Sequence, residues 1–398
     1  MICRISKKES KVFLNLGKMP LANGFIKKNQ IKKEYFYPLK VAFNKELSLI
    51  QLVNNPPPRK MFNDKYPFYT SSSNYMKNHF NNFAKFVKKN YLKKDSLIIE
   101  LGSNDGTFLS HFNKKNSFGF EPSKSVHNVA KKKGIKSINK FFNLKNTKIL
   151  KKNYNNFDLI IGSNVFCHIP NQIELIKTID KLLSKTGTII LEEPYLGSMY
   201  KKVSYDQIYD EHIYMFSLSS IKKIYNLFNF ELIDAIEQTT HGGSIRYILK
   251  RKGQAKESKR LMNLLKLEKK NNIDNFKGCK KFKKQVQKSK INLKRKINKI
   301  LLSGAKICGY GATSKSTTIL NYCKINHSHI DCIFDTTPDK INKLTPGTHI
   351  PIRDYKYFKE SDYKNVFLFA WNHKKEILKK EKNKKNIQWF SHLWTKKK

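Results

Sequence analysis

Hydrophobic positions in this chain fall into short runs separated by longer stretches with helical spacing. Leu97-Ile98-Ile99-Glu100-Leu101 reads as a buried strand. Phe118-Gly119-Phe120-Glu121, Phe157-Asp158-Leu159-Ile160-Ile161 and Thr188-Ile189-Ile190-Leu191-Glu192 repeat the pattern. Apolar strands that alternate with helical segments predict a mainly parallel α/β sheet, because parallel neighbours need a crossover long enough for a helix. Ahead of them a helix is predicted through Tyr75 to Tyr91, capped by Ser73 or a neighbouring serine. Residues 1–60 carry only short strand and turn signals and end at the breaker Asn54-Asn55-Pro56-Pro57-Pro58. Between 252 and 302 strand signals vanish. There Phe282, Val286, Leu293, Ile297, Ile300 and Leu301 share one helical face, which predicts an amphipathic linker helix. A second α/β unit opens with Lys306-Ile307-Cys308-Gly309-Tyr310 and continues through Asp331 to Asp335 and Val366 to Phe369. The expected organisation is a small module (1–60), a Rossmann-like α/β domain (61–251), a helical linker (252–302) and a C-terminal Rossmann-like α/β domain (303–398).

Composition changes this picture little, except for charge. With 398 residues, 39% of them hydrophobic, the chain can bury two or three cores. No run approaches the roughly 18–20 apolar residues that span a bilayer, and Met1-Ile2-Cys3-Arg4 opens no secretory signal. The six cysteines are scattered without close pairs, so neither a disulfide framework nor a CxxC metal knuckle is visible, and a cytoplasmic setting is expected. Lys and Arg number 79 against 30 Asp and Glu, a net charge of +49. That excess is spread along the chain rather than gathered on one stripe beside stacking aromatics, which argues against specific nucleic-acid binding. A basic nucleic-acid-binding protein stays as the non-enzyme alternative.

Candidate chemistry sits where the strands end. Glu100-Leu101-Gly102-Ser103-Asn104-Asp105-Gly106 is a strand running into small residues that let a ligand approach the backbone. Glu121, at the end of the next strand, is placed to accept both ribose hydroxyls of an adenosine. NAD and S-adenosylmethionine (SAM) both fit such a pair. The turn carries Asn104 and Asp105 and does not match G-x-G-x-x-G, which favours a sulfonium-bearing amino acid over a pyrophosphate. Asn164, after the third strand, completes the expected cofactor contacts. Three polar clusters follow core strands: Gly162 to Pro170 with His168, Tyr209-Asp210-Glu211-His212, and Thr239 to Arg246 with His241, Gly242 and Gly243. The second supplies a base, a carboxylate to orient it and a phenol able to donate to an oxyanion. In the C-terminal unit, Gly309-Tyr310-Gly311-Ala312 followed by Ser314 and Lys315 reads equally as a phosphate cradle, a dinucleotide turn or a structural corner.

The chain resembles the three-part sugar C-methyltransferases that act on TDP-linked 4-keto deoxysugars. The resemblance rests on Leu16-Gly17-Lys18-Met19-Pro20-Leu21-Ala22-Asn23, Tyr66 to Ser73, Glu100 to Leu109, Asn164 to Pro170, Glu193 to Leu196 and Tyr209 to His212. It continues through His241 to Ser244, Gly309 to Lys315, Asn321-Tyr322-Cys323 and Thr345 to Pro351. It implies a class I SAM methyltransferase domain and a nucleotide-linked keto sugar as partner; it sets no oligomeric state. In this light His212 becomes the expected base, oriented by Glu211, with Tyr209 and His168 as donors to the keto oxygen and Tyr66 closing over the sugar. Gly309, Gly311, Ser314 and Lys315 are expected at the diphosphate, and His241, Gly242 and Gly243 nearer the sugar. An NAD-dependent sugar-modifying enzyme is the rival, but it lacks a suitable Tyr-x-x-x-Lys pair. One part departs. The family's N-terminal module resembles a zinc knuckle with two cysteine pairs, whereas this chain keeps Cys3 and has Ser6, Asn44 and Leu47 at the other places. One thiolate cannot hold structural zinc, so no metal is expected.

Overall fold

The computed structural model describes residues 1–62, 68–151 and 156–394. Strands β1 (Lys11–Pro20), β2 (Phe36–Asn44) and β3 (Leu49–Leu52) form an antiparallel meander. Its fourth strand, β9 (Tyr214–Met215), comes from far along the chain and pairs Ile50 with Met215. The N-terminal module is thus stitched to the segment that follows Tyr209–His212. Strand β1 slips register twice, between Val12 and Leu14 and between Asn15 and Lys18, so Phe13 and Leu14 are both buried where strict alternation would expose one.

The central sheet has seven strands, ordered β10-β11-β8-β7-β4-β5-β6. Strands β4 (Ile98–Leu101), β5 (Ser117–Phe120), β7 (Phe157–Ser163) and β8 (Leu183–Pro194) run parallel, as the hydrophobic runs predicted, and β6 (Lys136–Ile138), which no run predicted, joins them in parallel. Strands β10 (Phe230–Gln238) and β11 (Ser244–Arg251) close one edge antiparallel. The order reverses between β4 and β7, so the turns after these strands face each other across the crevice where open α/β sheets bind ligands. Ser73 does cap the helix Asn74–Tyr91, its hydroxyl accepting from the Met76 amide at 3.3 Å.

The predicted linker helix is two helices, Lys259–Lys270 and Phe276–Leu302. They break at Asn272, which adopts a φ of 57°, and Asn275, whose side chain caps the second helix. Phe282, Val286, Leu293, Ile297 and Ile300 are buried on the expected face, with Leu301 at its half-buried margin. That stripe packs against both the N-terminal meander and the C-terminal sheet. The third sheet is parallel, ordered β14 (Ile352–Asp354), β13 (Ile333–Asp335), β12 (Ile307–Tyr310), β15 (Asn365–Leu368) and β16 (Gln388–Phe390). Among the described residues no helix is long and apolar enough to cross a membrane.

Candidate active site

All three sheets meet at one cavity of about 360 Å³. The turns after β4 and β7 supply one wall and the Tyr209–His212 segment the floor. The helix Ser314–Cys323 presents its first turn opposite, and Asn23 reaches in from the N-terminal module.

At the cofactor end, Gly102 has φ 63°, and a Cβ there would lie 2.9 Å from the Val165 side chain. Only glycine lets the two turns approach this closely. Gly102, Ser103, Asn104, Glu121 and Asn164 line the cavity. Glu121 receives the Asn104 amide at 3.0 Å and the Ser123 amide at 2.8 Å. Burial outweighs those bonds and raises its pKa to about 7. The expectation fails at two residues. Asp105 and Gly106 do not line the cavity: Asp105 accepts from the Ser71 amide (2.9 Å) and the Thr107 hydroxyl (2.5 Å), pinning the Thr70–Ser71 loop, while Gly106 packs on Ala130 and Ile135. Asn104 assists that loop, its Oδ1 accepting from the Thr70 amide at 2.9 Å. Glu100, quoted in the motif but not assigned a role, is buried at the cavity wall with Oε2 unpartnered; Asn164 Oδ1 is unpartnered too. An acidic residue breaking an apolar strand was the signal for Glu100. A cationic ligand satisfies both orphans, which suits the charge of SAM.

The catalytic floor is built on hydrogen bonds that fix one tautomer. His212 Nδ1 lies 2.7 Å from the Gln207 carbonyl, so it carries the proton and donates; Nε2 is left to accept from the Tyr209 hydroxyl at 2.9 Å. Burial lowers the His212 pKa to about 4 and keeps the ring neutral. Both ring nitrogens are therefore occupied, and Glu211 is not the group that orients His212, contrary to the sequence expectation. The Glu211 carboxylate instead accepts from Asn23 Nδ2 at 2.7 Å. His168 is stacked between Phe62 and His212, with ring centres 5.5 and 5.3 Å away and Nε2 unpartnered. Its loop is held by Glu193, at the end of β8, which accepts from the amides of Val165 (3.0 Å), Phe166 (2.9 Å) and Cys167 (3.3 Å). Tyr66 lies outside the described residues.

On the far wall, Ser314 and Lys315 line the cavity, with Lys340, Asn372 and His373 beside them. Thr313 caps the helix by accepting from the Ser316 amide at 3.2 Å. Gly309 and Gly311 do not line the cavity. A Cβ on Gly309 would lie 2.8 Å from Ile333 and Phe369, and one on Gly311 2.9 Å from Ala370, so both serve packing. His241 lines the cavity in a left-handed conformation, φ 50°. Gly242 and Gly243 instead admit Trp371 and Ser198 against the turn.

Three family descriptions match the chain in succession: a domain named for zinc binding over residues 3–62, a methyltransferase domain over 75–235 and a C-methyltransferase C-terminal domain over 239–392. Together the three matches run along most of the chain, which is a SAM-dependent methyltransferase. Among relatives, C-methyltransferase NovU from Streptomyces niveus is 25% identical over 375 residues, 93% of this chain and 89% of that one. Among solved structures, the plantazolicin methyltransferase BpumL in complex with SAH superposes with a TM-score of 0.34 at 16% identity, covering 44% of this chain and 82% of that one. Magnesium protoporphyrin IX methyltransferase from Synechocystis PCC 6803 with bound SAM gives 0.32 at 14%, covering 44% and 79%.

The C-methyltransferase uses SAM as cofactor, and its cavity residues fit that group. Its N-terminal module does not fit zinc. Cys3 Sγ accepts from the Ile5 amide at 3.4 Å, Ser6 Oγ from Lys8 at 3.3 Å and Asn44 Oδ1 from Leu47 at 3.0 Å. These are knuckle-like turns without the thiolates, and the Leu47 side chain is buried in the same apolar cluster as Cys3, Ile5 and Leu49. Among the described residues, Cys167, His168 and His212 bring ligand-type atoms within 4.8 Å of one another. The two rings are stacked 18° from parallel, so their in-plane lone pairs do not converge on one point as a tetrahedral ion requires.

Proposed function

We propose that this C-methyltransferase alkylates the carbon beside the ketone of a nucleotide-linked keto-deoxysugar, by way of an enolate. Breaking a C–H bond beside a ketone leaves charge on the carbonyl oxygen, so the site needs a base, an oxyanion donor and a fixed approach. The observation that carries the reading is the Tyr209–His212 pair, a neutral imidazole tied at Nδ1 and hydrogen-bonded at Nε2 to a phenol inside the cavity. His212 accepts the substrate proton, directly or relayed through the Tyr209 hydroxyl. His168 donates to the keto oxygen, and the resemblance assigns Tyr66 the role of closing over the sugar. When bound, SAM supplies an electrophilic methyl group, held by Gly102, Ser103, Asn104, Glu121, Asn164 and Glu100. The capped helix end with Ser314, Lys315 and Lys340 supports an anionic handle such as a sugar diphosphate.

The test is transfer from SAM carrying a ¹³C methyl to TDP- and GDP-linked 4-keto-6-deoxyhexoses, read by NMR. Label on carbon, with deuterium exchange of the neighbouring C–H that disappears in His212→Asn, supports the reading. Label on oxygen, or exchange that survives the substitution, overturns it.

A further inference from the structure

We propose that the N-terminal module is part of the active site, and that Asn23 is a positioning residue that sets the direction of the Glu211 carboxylate. The proposal rests on the keto-sugar reading of the cavity. Its geometry does not involve the knuckle-like turns of the module.

Asn23 sits on a tight turn, closed by the Gly24 amide donating to the Leu21 carbonyl at 3.0 Å. Neighbouring groups hold this turn from two sides. The Ala22 amide donates to both carboxylate oxygens of Asp210 at 3.2 and 3.3 Å, and the Ala22 carbonyl accepts from the Thr317 hydroxyl at 2.8 Å. Asp210 belongs to the catalytic segment and Thr317 to the helix whose first turn lines the far wall. The turn is therefore wedged between the two halves of the cavity, and Ala22 is 2% exposed. Only one side chain of the wedge continues into the cavity: Asn23 lines it and donates from Nδ2 to Glu211 Oε1 at 2.7 Å. The bond joins residues 188 apart in sequence. An amide is suited to this task. It donates without adding charge, so it directs one carboxylate oxygen without altering the charge of the site.

Positioning, as opposed to packing, makes a specific prediction for kinetics. Asn23→Ala should keep its affinity for SAM and its melting temperature, while kcat on the keto sugar falls roughly tenfold to a hundredfold, as for other small displacements of a catalytic group. Asn23→Asp is the sharper variant. It sets a second carboxylate within hydrogen-bond reach of Glu211, and such a pair shares one proton because both cannot ionise. Relative to wild type, in which burial already raises the neighbouring Asp210 carboxyl to about 7, the pH profile of this variant should lose activity more steeply as pH rises.

Thermal melts without acceptor provide a second readout. The shared proton raises a carboxyl pKa in the folded state above its unfolded value, so Asn23→Asp should lose stability as pH rises above the ordinary carboxylate range. Adding Glu211→Gln should remove the part of that slope that exceeds wild type. Wild-type kinetics in Asn23→Ala, or an unchanged pH profile in Asn23→Asp, overturns the proposal. Melts of Asn23→Asp that follow wild type at every pH overturn the contact itself. If wild type methylates no keto sugar, the substrate reading falls and takes the positioning role with it, while the melts still report on the contact.

Discussion

The base role proposed for His212 rests on where its two nitrogens point. The Gln207 carbonyl holds the proton on Nδ1, and burial pulls the pKa from 6.5 to about 4, so Nε2 keeps its lone pair on the Tyr209 hydroxyl throughout the neutral range. Turnover should therefore hold from pH 8 to about 5 and fail as pH drops through 4. The same shift bears on stability. Between 4 and 6.5 the unfolded chain binds the proton more readily, so this contribution is complete above 6.5 and is lost as pH falls toward 4. His212→Asn should cost about 10²–10⁴ in turnover, leave SAM affinity intact in calorimetry, and flatten that part of the stability profile. That His168, Tyr209, Glu211 and His212 meet in one cavity was legible in the sequence, but their pairing was not. Glu211 adjoins His212 in sequence and was read as its partner. In the fold the two side chains turn to different neighbours, one to a backbone carbonyl and one to Asn23. Nothing local in the sequence encodes either contact. Gly309 and Gly311 show the opposite error: a glycine-rich turn resembled a phosphate cradle, yet both glycines are used up by Ile333, Phe369 and Ala370.

At the level of elements, the loop carrying Asn164 and His168 depends on the last turn of the neighbouring strand. Glu193 answers three successive amides there, and burial raises its pKa to about 7 despite those bonds. A folded pKa above the unfolded value means that its contribution to stability is present at low pH and declines as pH rises from about 4.5 to 7. Glu193→Gln should remove this dependence, turn an amide NH₂ toward backbone donors, destabilise by about 1–3 kcal/mol and lower turnover by shifting His168; melts across pH and steady-state rates check both. The knuckle turns offer another test. Where the family description names zinc, Leu47 fills the space between the loops at 4% exposure. Chelator should leave the melting temperature unchanged, whereas Leu47→Ala should cost about 2–5 kcal/mol. Strand periodicity made β4, β5, β7 and β8 legible because each is buried on both faces. The two-residue β9 was invisible, since its only reason to be a strand is the edge of β3. The break in the linker has a similar reason: the apolar stripe is continuous across Phe276–Leu302, and the stop lies in Asn272, which tolerates left-handed backbone, and Asn275, which caps the next helix.

For the molecule as a whole, three sheets enclose one cavity, and Trp371 is where the closure of its C-terminal wall can be tested. Its indole donates to the buried carboxylate of Asp206 at 2.5 Å, while the ring presses on Gly242, where a Cβ would lie 2.1 Å from it. Asp206 is also 3.3 Å from His392, near the end of the described chain. The seam thus has a fixed polar latch and a glycine that makes room for it. Gly242→Ala strains the seam twice, by collision and because φ is 87°. The collision involves ring atoms rather than the tip of a flexible chain, so the C-terminal lobe must withdraw. The expected outcome is a loss of about 1–3 kcal/mol, a red-shifted tryptophan emission and a higher KM for the acceptor, with SAM affinity nearly unchanged. That asymmetry follows from the layout: the cofactor turns belong wholly to the central sheet, whereas Ser314, Lys315 and Lys340 move with the C-terminal lobe. Equal losses in cofactor and acceptor binding would mean that the lobes fold as one cooperative unit and that the cavity has no separable wall.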